Sequence, residues 1–460
     1  MTSPPLRTVD TVRDTQPMTE TDVDVAVVGA GISGLTSAHV LTEAGRSVRV
    51  FEAADRVGGR MASRHHDGYV IDEGAEQIAT RGYDSTWELL RTMGAAQDAV
   101  VPVGGRIAIW RDGRAHANFG HPAGFITGAG MSWRGRLAWL RFTGALMARG
   151  NRFDQDSPEA TPMRDATIAA YARRYHRDLY DYLLQPLAGG LFGWQAEHSA
   201  IGPMAALLRA VGGAGTRWVT YRGGMDTLAR ALAERVDVVT GTSVVAVKPG
   251  DAAVRLHLAD GRTATARRVV LAVPAPVALT LHTALPDDER PYLAESTYCP
   301  MLKVMCLLDR PLPSPTRRPS YALEVSAVDD QVFAGAMLDH IKAADRVPRG
   351  CGLVSLFASP YSSRALLERS DDEIVATLRR RGERYLPGLA EATRATLVAR
   401  WPHGLPEATP AALRLRRAFL DRPVRRVEYA GDWVMLRPNS EAAVRSGHLA
   451  AQRVLSADRG

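Results

Sequence analysis

The chain has 460 residues, with 57 Lys and Arg against 50 Asp and Glu, a formal net charge of +7 and a hydrophobic fraction of 46%. That length predicts two or three domains; the apolar fraction is that of a globular protein, and the absence of a Lys/Arg block interleaved with aromatics argues against nucleic-acid binding. The cysteines, Cys299, Cys306 and Cys351, are too sparse for a disulfide framework and fit a reducing compartment; with no zinc-site spacing and no apolar run of about eighteen residues, a cytoplasmic location without a metal is expected.

Residues 1–22 are rich in Thr, Asp and Pro. They lack the apolar segment of a signal peptide and read as a disordered leader. The organised chain opens at 24–52, DVAVVGAGISGLTSAHVLTEAGRSVRVFE. Val25, Ala26, Val27 and Val28 form the short apolar run of a strand buried on both faces. Gly29, Gly31 and Gly34 follow in G-x-G-x-x-G spacing. Leu35, Ala38 and Leu41 recur at helical spacing, Gly45 marks the helix end, and a second apolar strand runs into Glu52. Strand, glycine turn, helix, strand and acid predict a Rossmann-like dinucleotide-binding unit. In it Gly29 allows the tight turn, Gly31 admits a pyrophosphate, and Gly34 lets helix and strand pack closely. The helix start offers free N–H groups to the phosphates, and Glu52 accepts hydrogen bonds from a ribose.

Arg56-Val57-Gly58-Gly59-Arg60 follows at once. Gly59 brings more backbone to the same pyrophosphate and Arg60 a guanidinium. The run EAADRVGGR, together with Asp72-Glu73-Gly74-Ala75, resembles the flavin-dependent amine oxidase and protoporphyrinogen oxidase family. The resemblance implies FAD as cofactor. It places Gly74 and Ala75 at a strand end close to the flavin, with Glu76 and Gln77 beside the ring. It also implies the fold class: α/β, a Rossmann-like FAD-binding domain with an interleaved mixed α+β substrate domain. The FAD-binding part is expected at 23–82, 215–285 and 401–460, and the substrate part at 83–214 and 286–400.

Downstream, residues 83–93 read as a helix and 100–118 as a hairpin about Asp112-Gly113. Residues 120–212 read as mainly helical. Within them WRGRLAWLRFTGALMAR, 133–149, mixes Trp, Leu and Arg. That is the pattern of a basic amphipathic helix on a membrane surface, or of a helix burying one face in its own domain. Residues 178–199 resemble the family's segment leading to the substrate cavity, which Tyr180, Tyr182, Phe192 and Trp194 would line if they are not core. YRGGM, 221–225, resembles the family's return to the cofactor domain. Strands are expected at 236–239, 243–248, 254–258 and 269–273, and the resemblance gives Val244 main-chain contact with the adenine. Further strands are expected at 301–308, 321–328, 333–337 and 353–358, with a helix at 371–385. WPHGLP, 401–406, resembles the link back to the flavin.

The tail carries a second signal. A strand at 427–430 leads into Gly431-Asp432-Trp433, then PNSEAAVRSG and a final helix. Asp432 suits a ribityl hydroxyl, and Trp433 a cavity wall. Ser440 is expected as N-cap, with Glu441 in the cofactor-binding turn. The helix start would face the flavin edge where negative charge collects on reduction. The family has E-G-A here, whereas this chain has Ala442 in place of the glycine.

Only Lys248, Lys303 and Lys342 are lysines. Lys303, in PMLKVMCLLD, is flanked by apolar residues, a costly place for an ammonium without a partner. By resemblance it matches the amine oxidase lysine that holds a water near flavin N5 and assists oxygen. The expected function is therefore an FAD-dependent oxidase. It passes hydride from a small-molecule C–H next to nitrogen to flavin N5, and molecular oxygen takes the electrons to give hydrogen peroxide. One alternative is C–C dehydrogenation of a porphyrinogen- or polyene-like substrate. Another is a non-redox flavin-binding protein or isomerase.

Overall fold

The computed structural model describes residues 23–94, 99–213 and 216–457; the expected leader at 1–22 lies outside them. Val23–Val28 is the centre of a seven-stranded sheet. It pairs in parallel with Val48–Phe51 on one side and Thr263–Leu271 on the other. Covered on both faces, Val25 to Val28 are 5% exposed or less, as their unbroken apolar run requires. Asp237–Val239 extends the sheet beyond Val48–Phe51. Val254–Leu258 and Val244–Pro249 add an antiparallel meander on the other side. Thr263–Leu271 is longer than expected. Its first half alternates small buried Ala264 and Ala266 with exposed residues and pairs with the meander, while Val269 to Leu271 pair in parallel with Val427–Tyr429.

Helices Ile32–Glu43 and Ser440–Ser456 lie together on this sheet. Their backbones touch at Gly447, where a Cβ would sit 2.5 Å from the Ser33 carbonyl oxygen. The Ser37 hydroxyl donates to the Gly447 carbonyl at 3.0 Å.

A second seven-stranded sheet runs in the order Thr393–Pro406, Tyr298–Leu308, Gly352–Ala358, Phe333–Leu338, Ser320–Glu324, Arg106–Arg111, Arg114–Ala117. The hairpin turn falls at Asp112 and Gly113, both at positive φ (52° and 77°), the conformation a tight hairpin needs. The preceding Val100–Pro102 is not part of that hairpin. It pairs with Trp218–Tyr221, because Gly104 and Gly105 (φ 75°) break the chain between the two. Asp371–Tyr385 forms as expected, opened by a capping box between Ser370 and Glu373. The 120–212 region holds Trp133–Met147 and Ile201–Ala210. Between them the chain runs through two π-helical turns, Tyr180–Leu184 and Leu187–Leu191, on either side of Pro186, which has no N–H to give the helix ladder.

Candidate functional site

The carboxyl ends of Val23–Val28, Val48–Phe51 and Thr263–Leu271 open onto a cavity of about 580 Å³, the crevice where such sheets bind ligands. Its opposite wall is the second sheet, through Met301, Tyr321, Ala336 and Phe357.

The glycine turn is shaped by close packing on one side and open space on the other. A Cβ on Gly29 (φ 102°) would fall 2.6 Å from the Ala272 carbonyl oxygen, and one on Gly34 would fall 2.0 Å from that of Gly29. Gly31 differs: its φ is −72°, and a Cβ there would meet nothing within 4 Å. It is the N-cap of Ile32–Glu43 and has no side chain to satisfy the first helical N–H groups, which are left for an anion. Gly58 and Gly59 form a second turn against it, the Gly58 N–H donating to the Ala30 carbonyl at 2.9 Å. The Glu52 carboxylate accepts from the Ala30 N–H (2.6 Å) and the Ala54 N–H (2.9 Å). Thus oriented, it shares one end of the cavity with Ser243 and Val244.

Arg60 and Asp432 both line the cavity, but the structure joins them to each other. The guanidinium makes two parallel hydrogen bonds of 2.8 Å to the carboxylate and a third, 2.7 Å, to the Gly404 carbonyl. Gly74 and Ala75 pack on the Arg60 backbone, the Ala75 N–H donating to its carbonyl at 2.8 Å. A Cβ on Gly431 would strike the Trp433 ring at 2.5 Å. Trp433 is fully buried, donates Nε1–H to the Val273 carbonyl at 3.1 Å, and packs among Tyr292, Phe419 and Tyr429. One edge reaches the cavity.

Behind the cavity lies a buried charge cluster. Lys303 comes from Tyr298–Leu308, a strand buried along almost its whole length, so it has no wet face to reach. Its ammonium donates to Glu76 and to the Asp72 carbonyl. Lys342 bridges Glu76, Asp72 (3.1 Å) and Asp339 (2.8 Å). Arg346 donates to Asp72 (3.0 Å), to Thr220 and to the Tyr221 carbonyl. Three cations thus face three carboxylates, as buried charges must. Burial opposes the charges of Asp72, Lys342 and Arg346. Even so, Lys342 and Arg346 hold the Asp72 carboxyl well below its ordinary range, and Asp339, Glu76 and Asp72 hold the Lys342 ammonium well above its own. Of the cluster only Glu76 lines the cavity.

Glu324, at the end of Ser320–Glu324, is the opposite case. It faces the cavity, and burial alone pushes its carboxyl up to about 8. Gly190 makes room for it: a Cβ there would fall 1.9 Å from the carboxylate.

The structure places Lys303 behind the cavity wall, with Glu76 between. Other sequence expectations need correction. Glu441 does not line the cavity. Its buried carboxylate accepts from the Ser85 N–H (3.1 Å), the Thr86 N–H (2.8 Å) and hydroxyl (2.9 Å), and Arg445 (2.8 Å), because the start of helix Asp84–Thr92 lies opposite and needs an acceptor. The N-cap of the last helix is Asn439, whose Oδ1 accepts from the Ala442 N–H at 2.9 Å. Ser440 is one residue inside, its hydroxyl buried at the cavity wall without a partner among the described residues. Of the four aromatics at 180–194 only Phe192 lines the cavity. Tyr180 bonds Glu197, Tyr182 lies under Arg111, and Trp194 donates to the Pro406 carbonyl. Lys342, Arg346 and Asp339 were not foreseen as members of the cluster that holds Lys303, although the rarity of lysine marked Lys342. Glu324 carried no signal.

The residues present fit FAD. Two glycine turns and an uncapped helix start suit its pyrophosphate, and an aimed carboxylate suits a ribose. At the other end, an unpartnered hydroxyl at a second helix start suits the polar edge of the ring.

Comparison with known proteins agrees. The flavin-containing amine oxidoreductase family matches residues 32–455. The coproporphyrinogen III oxidase of Propionibacterium freudenreichii is 25% identical over 86% of this chain and 83% of its own. The protoporphyrinogen oxidase 2 of Arabidopsis thaliana is 29% identical over 36% of this chain and 32% of its own; with this and other curated relatives the match spans about a third of their length. Among solved structures, a putrescine oxidase variant superposes with a TM-score of 0.76 at 21% identity, covering 94% of this chain and 99% of that one. A putative protoporphyrinogen oxidase from Exiguobacterium gives 0.72 at 19% identity, covering 95% and 98%. The cradle and the match over most of its length place this chain in the flavin-containing amine oxidoreductase family.

Proposed function

We propose that the chain is an oxidase of amines: the substrate loses a hydride from the carbon next to nitrogen and a proton from the nitrogen, becoming an imine, and molecular oxygen takes the two electrons and two protons to become hydrogen peroxide. The observation that carries this reading is Glu324, a carboxyl facing an otherwise largely apolar cavity with no counter-charge beside it among the described residues. A cationic substrate group supplies that counter-charge, and in doing so returns the carboxyl to its ionised form. Bound FAD supplies the two-electron acceptor. Gly31, Gly59 and the first turn of Ile32–Glu43 hold its phosphates, Glu52 its ribose, and Val244 the adenine end; the Arg60–Asp432 pair and Ser440 border its ring end. Trp433 and Phe192 exclude water. Lys303, fixed by Glu76 and the Asp72 carbonyl, supplies a positive charge behind the cavity wall where oxygen gains electrons; Glu76 acts as its positioning residue. On this reading the first sheet and its helices bind cofactor, and the second sheet with the 120–212 region binds substrate.

A second reading, C–C dehydrogenation of a porphyrinogen-like substrate, is favoured by the extended match to a coproporphyrinogen oxidase. A panel of mono- and diamines and porphyrinogens, scored by peroxide release with anaerobic flavin spectra alongside, separates the two. Bleaching by amines with a second cationic group supports the first; bleaching by porphyrinogens alone overturns it. Product formed without any electron acceptor would overturn both in favour of a non-redox role.

A further inference from the structure

Helix Trp133–Met147 is amphipathic in an unusual sense: its outer face is the apolar one. Gly135, Ala138, Trp139 and Phe142 are buried, and Gly135 lies so close to Asp178 that a Cβ would touch it at 2.6 Å. The opposite face carries Trp133 (64% exposed), Leu137 (50%), Leu140 (53%) and Met147 (75%). Their spacing puts them in one stripe along the helix. Ile126, 85% exposed, joins the stripe from the short helix Gly124–Thr127. It is held there by hydrogen bonds from Arg136 to the Phe125 and Ile126 carbonyls, both 3.2 Å, and by Phe125 stacked on Trp139. A cluster of five large apolar side chains in water costs free energy unless something covers it.

The charge around it says what does. From Gly113 to Phe153 there is no Asp or Glu, while Arg114, Arg134, Arg136, Arg141, Arg149 and Arg152 fall in the same stretch. Arg134 and Arg141 are exposed on the helix itself, and Arg134 lies over the Trp133 ring at 5.3 Å. An apolar stripe with an aromatic at one end, on a segment whose only charged side chains from 113 to 153 are arginines, is complementary to a surface with apolar depth and anionic heads. We infer that this face docks peripherally on an anionic phospholipid bilayer, with the Trp133, Leu137, Leu140 and Met147 side chains at the acyl boundary and the arginines among the phosphates.

Sedimentation of the FAD-loaded full chain with phosphatidylcholine vesicles, and with equal mixtures of phosphatidylcholine and phosphatidylglycerol, tests this. The mixed vesicles are expected to retain the protein and the neutral ones to retain far less. The double substitution Leu137→Gln, Leu140→Gln is expected to lower partitioning more than tenfold with no change in melting midpoint, since both side chains are already in water. Arg134→Gln and Arg141→Gln are each expected to lower it about fivefold. Absence of binding to mixed vesicles, or binding that both sets of variants leave intact, overturns the proposal. So does a concentration-dependent dimer, without vesicle binding, that Leu137→Gln, Leu140→Gln abolishes: the stripe would then be an interface between copies of this chain.

Discussion

Lys303 and Glu324 are two ionisable side chains out of water, and their surroundings settle them in opposite ways. Lys303 is held by the Glu76 carboxylate and the Asp72 main-chain carbonyl. Its replacement by Met leaves Glu76 facing one ammonium instead of two, a loss of about 3 kcal/mol by the usual cost of breaking a buried pair. The double substitution Lys303→Met, Glu76→Gln is expected to destabilise by less than the sum of the two singles, read from urea midpoints; strict additivity would show that the two are not coupled. In stopped flow, Lys303→Met is expected to slow reoxidation of the reduced protein by oxygen at least about tenfold, from loss of one preorganised charge. Glu324 has no such partners. Its carboxyl ionises near 4.5 in the unfolded chain and near 8 in the fold, so unfolding releases a proton between those values. Stability contributed by the neutral carboxyl is therefore lost as pH rises through that window. Glu324→Gln is expected to match the parent's melting midpoint near pH 5 and to exceed it above pH 8. With a diamine substrate, the same variant is expected to raise KM with little change in kcat. A KM that does not move would remove Glu324 from the substrate site.

Among the elements, the glycine turn separates packing from binding within six residues. Gly34→Ala places a methyl 2.0 Å from a carbonyl oxygen and is expected to destabilise the apoprotein by about 2 kcal/mol or more. Gly31→Ala meets no protein atom and has a φ any residue adopts. The apoprotein is expected to melt as the parent does, while FAD affinity, read by flavin fluorescence, falls at least about tenfold. Equal FAD affinity in Gly31→Ala would move the pyrophosphate elsewhere. This element was legible because few residue types at fixed spacing satisfy it. The charge cluster was not, since Asp72, Glu76, Lys303, Asp339, Lys342 and Arg346 meet only when strand, loop and short helix fold together. The strand Thr393–Pro406 was missed, its last six residues being read as a link back to the flavin rather than as a strand. It is an edge strand whose outward side chains are polar and half-exposed, so it lacks the apolar run that marked Tyr298–Leu308. Glu324 was invisible for a related reason: one acid at a strand end looks the same whether it faces water or a cavity.

At the scale of the whole molecule, cofactor and fold stabilise each other. A ligand bound only by the folded state adds about 4 kcal/mol when present at a thousand times its dissociation constant. Stripping FAD is therefore expected to lower the melting midpoint by several degrees and to expose helix Ser440–Ser456 to limited proteolysis before the second sheet; loss from the second sheet first would contradict that order. The lock between Ser37 and Gly447 joins residues 410 positions apart, and Arg60 reaches Asp432 across a similar interval. Translation delivers the glycine turn long before its partner helix. A polypeptide cut before residue 427 has half a nest, since it lacks Asp432 and the helix Ser440–Ser456, and is expected to stay colourless when mixed with flavin.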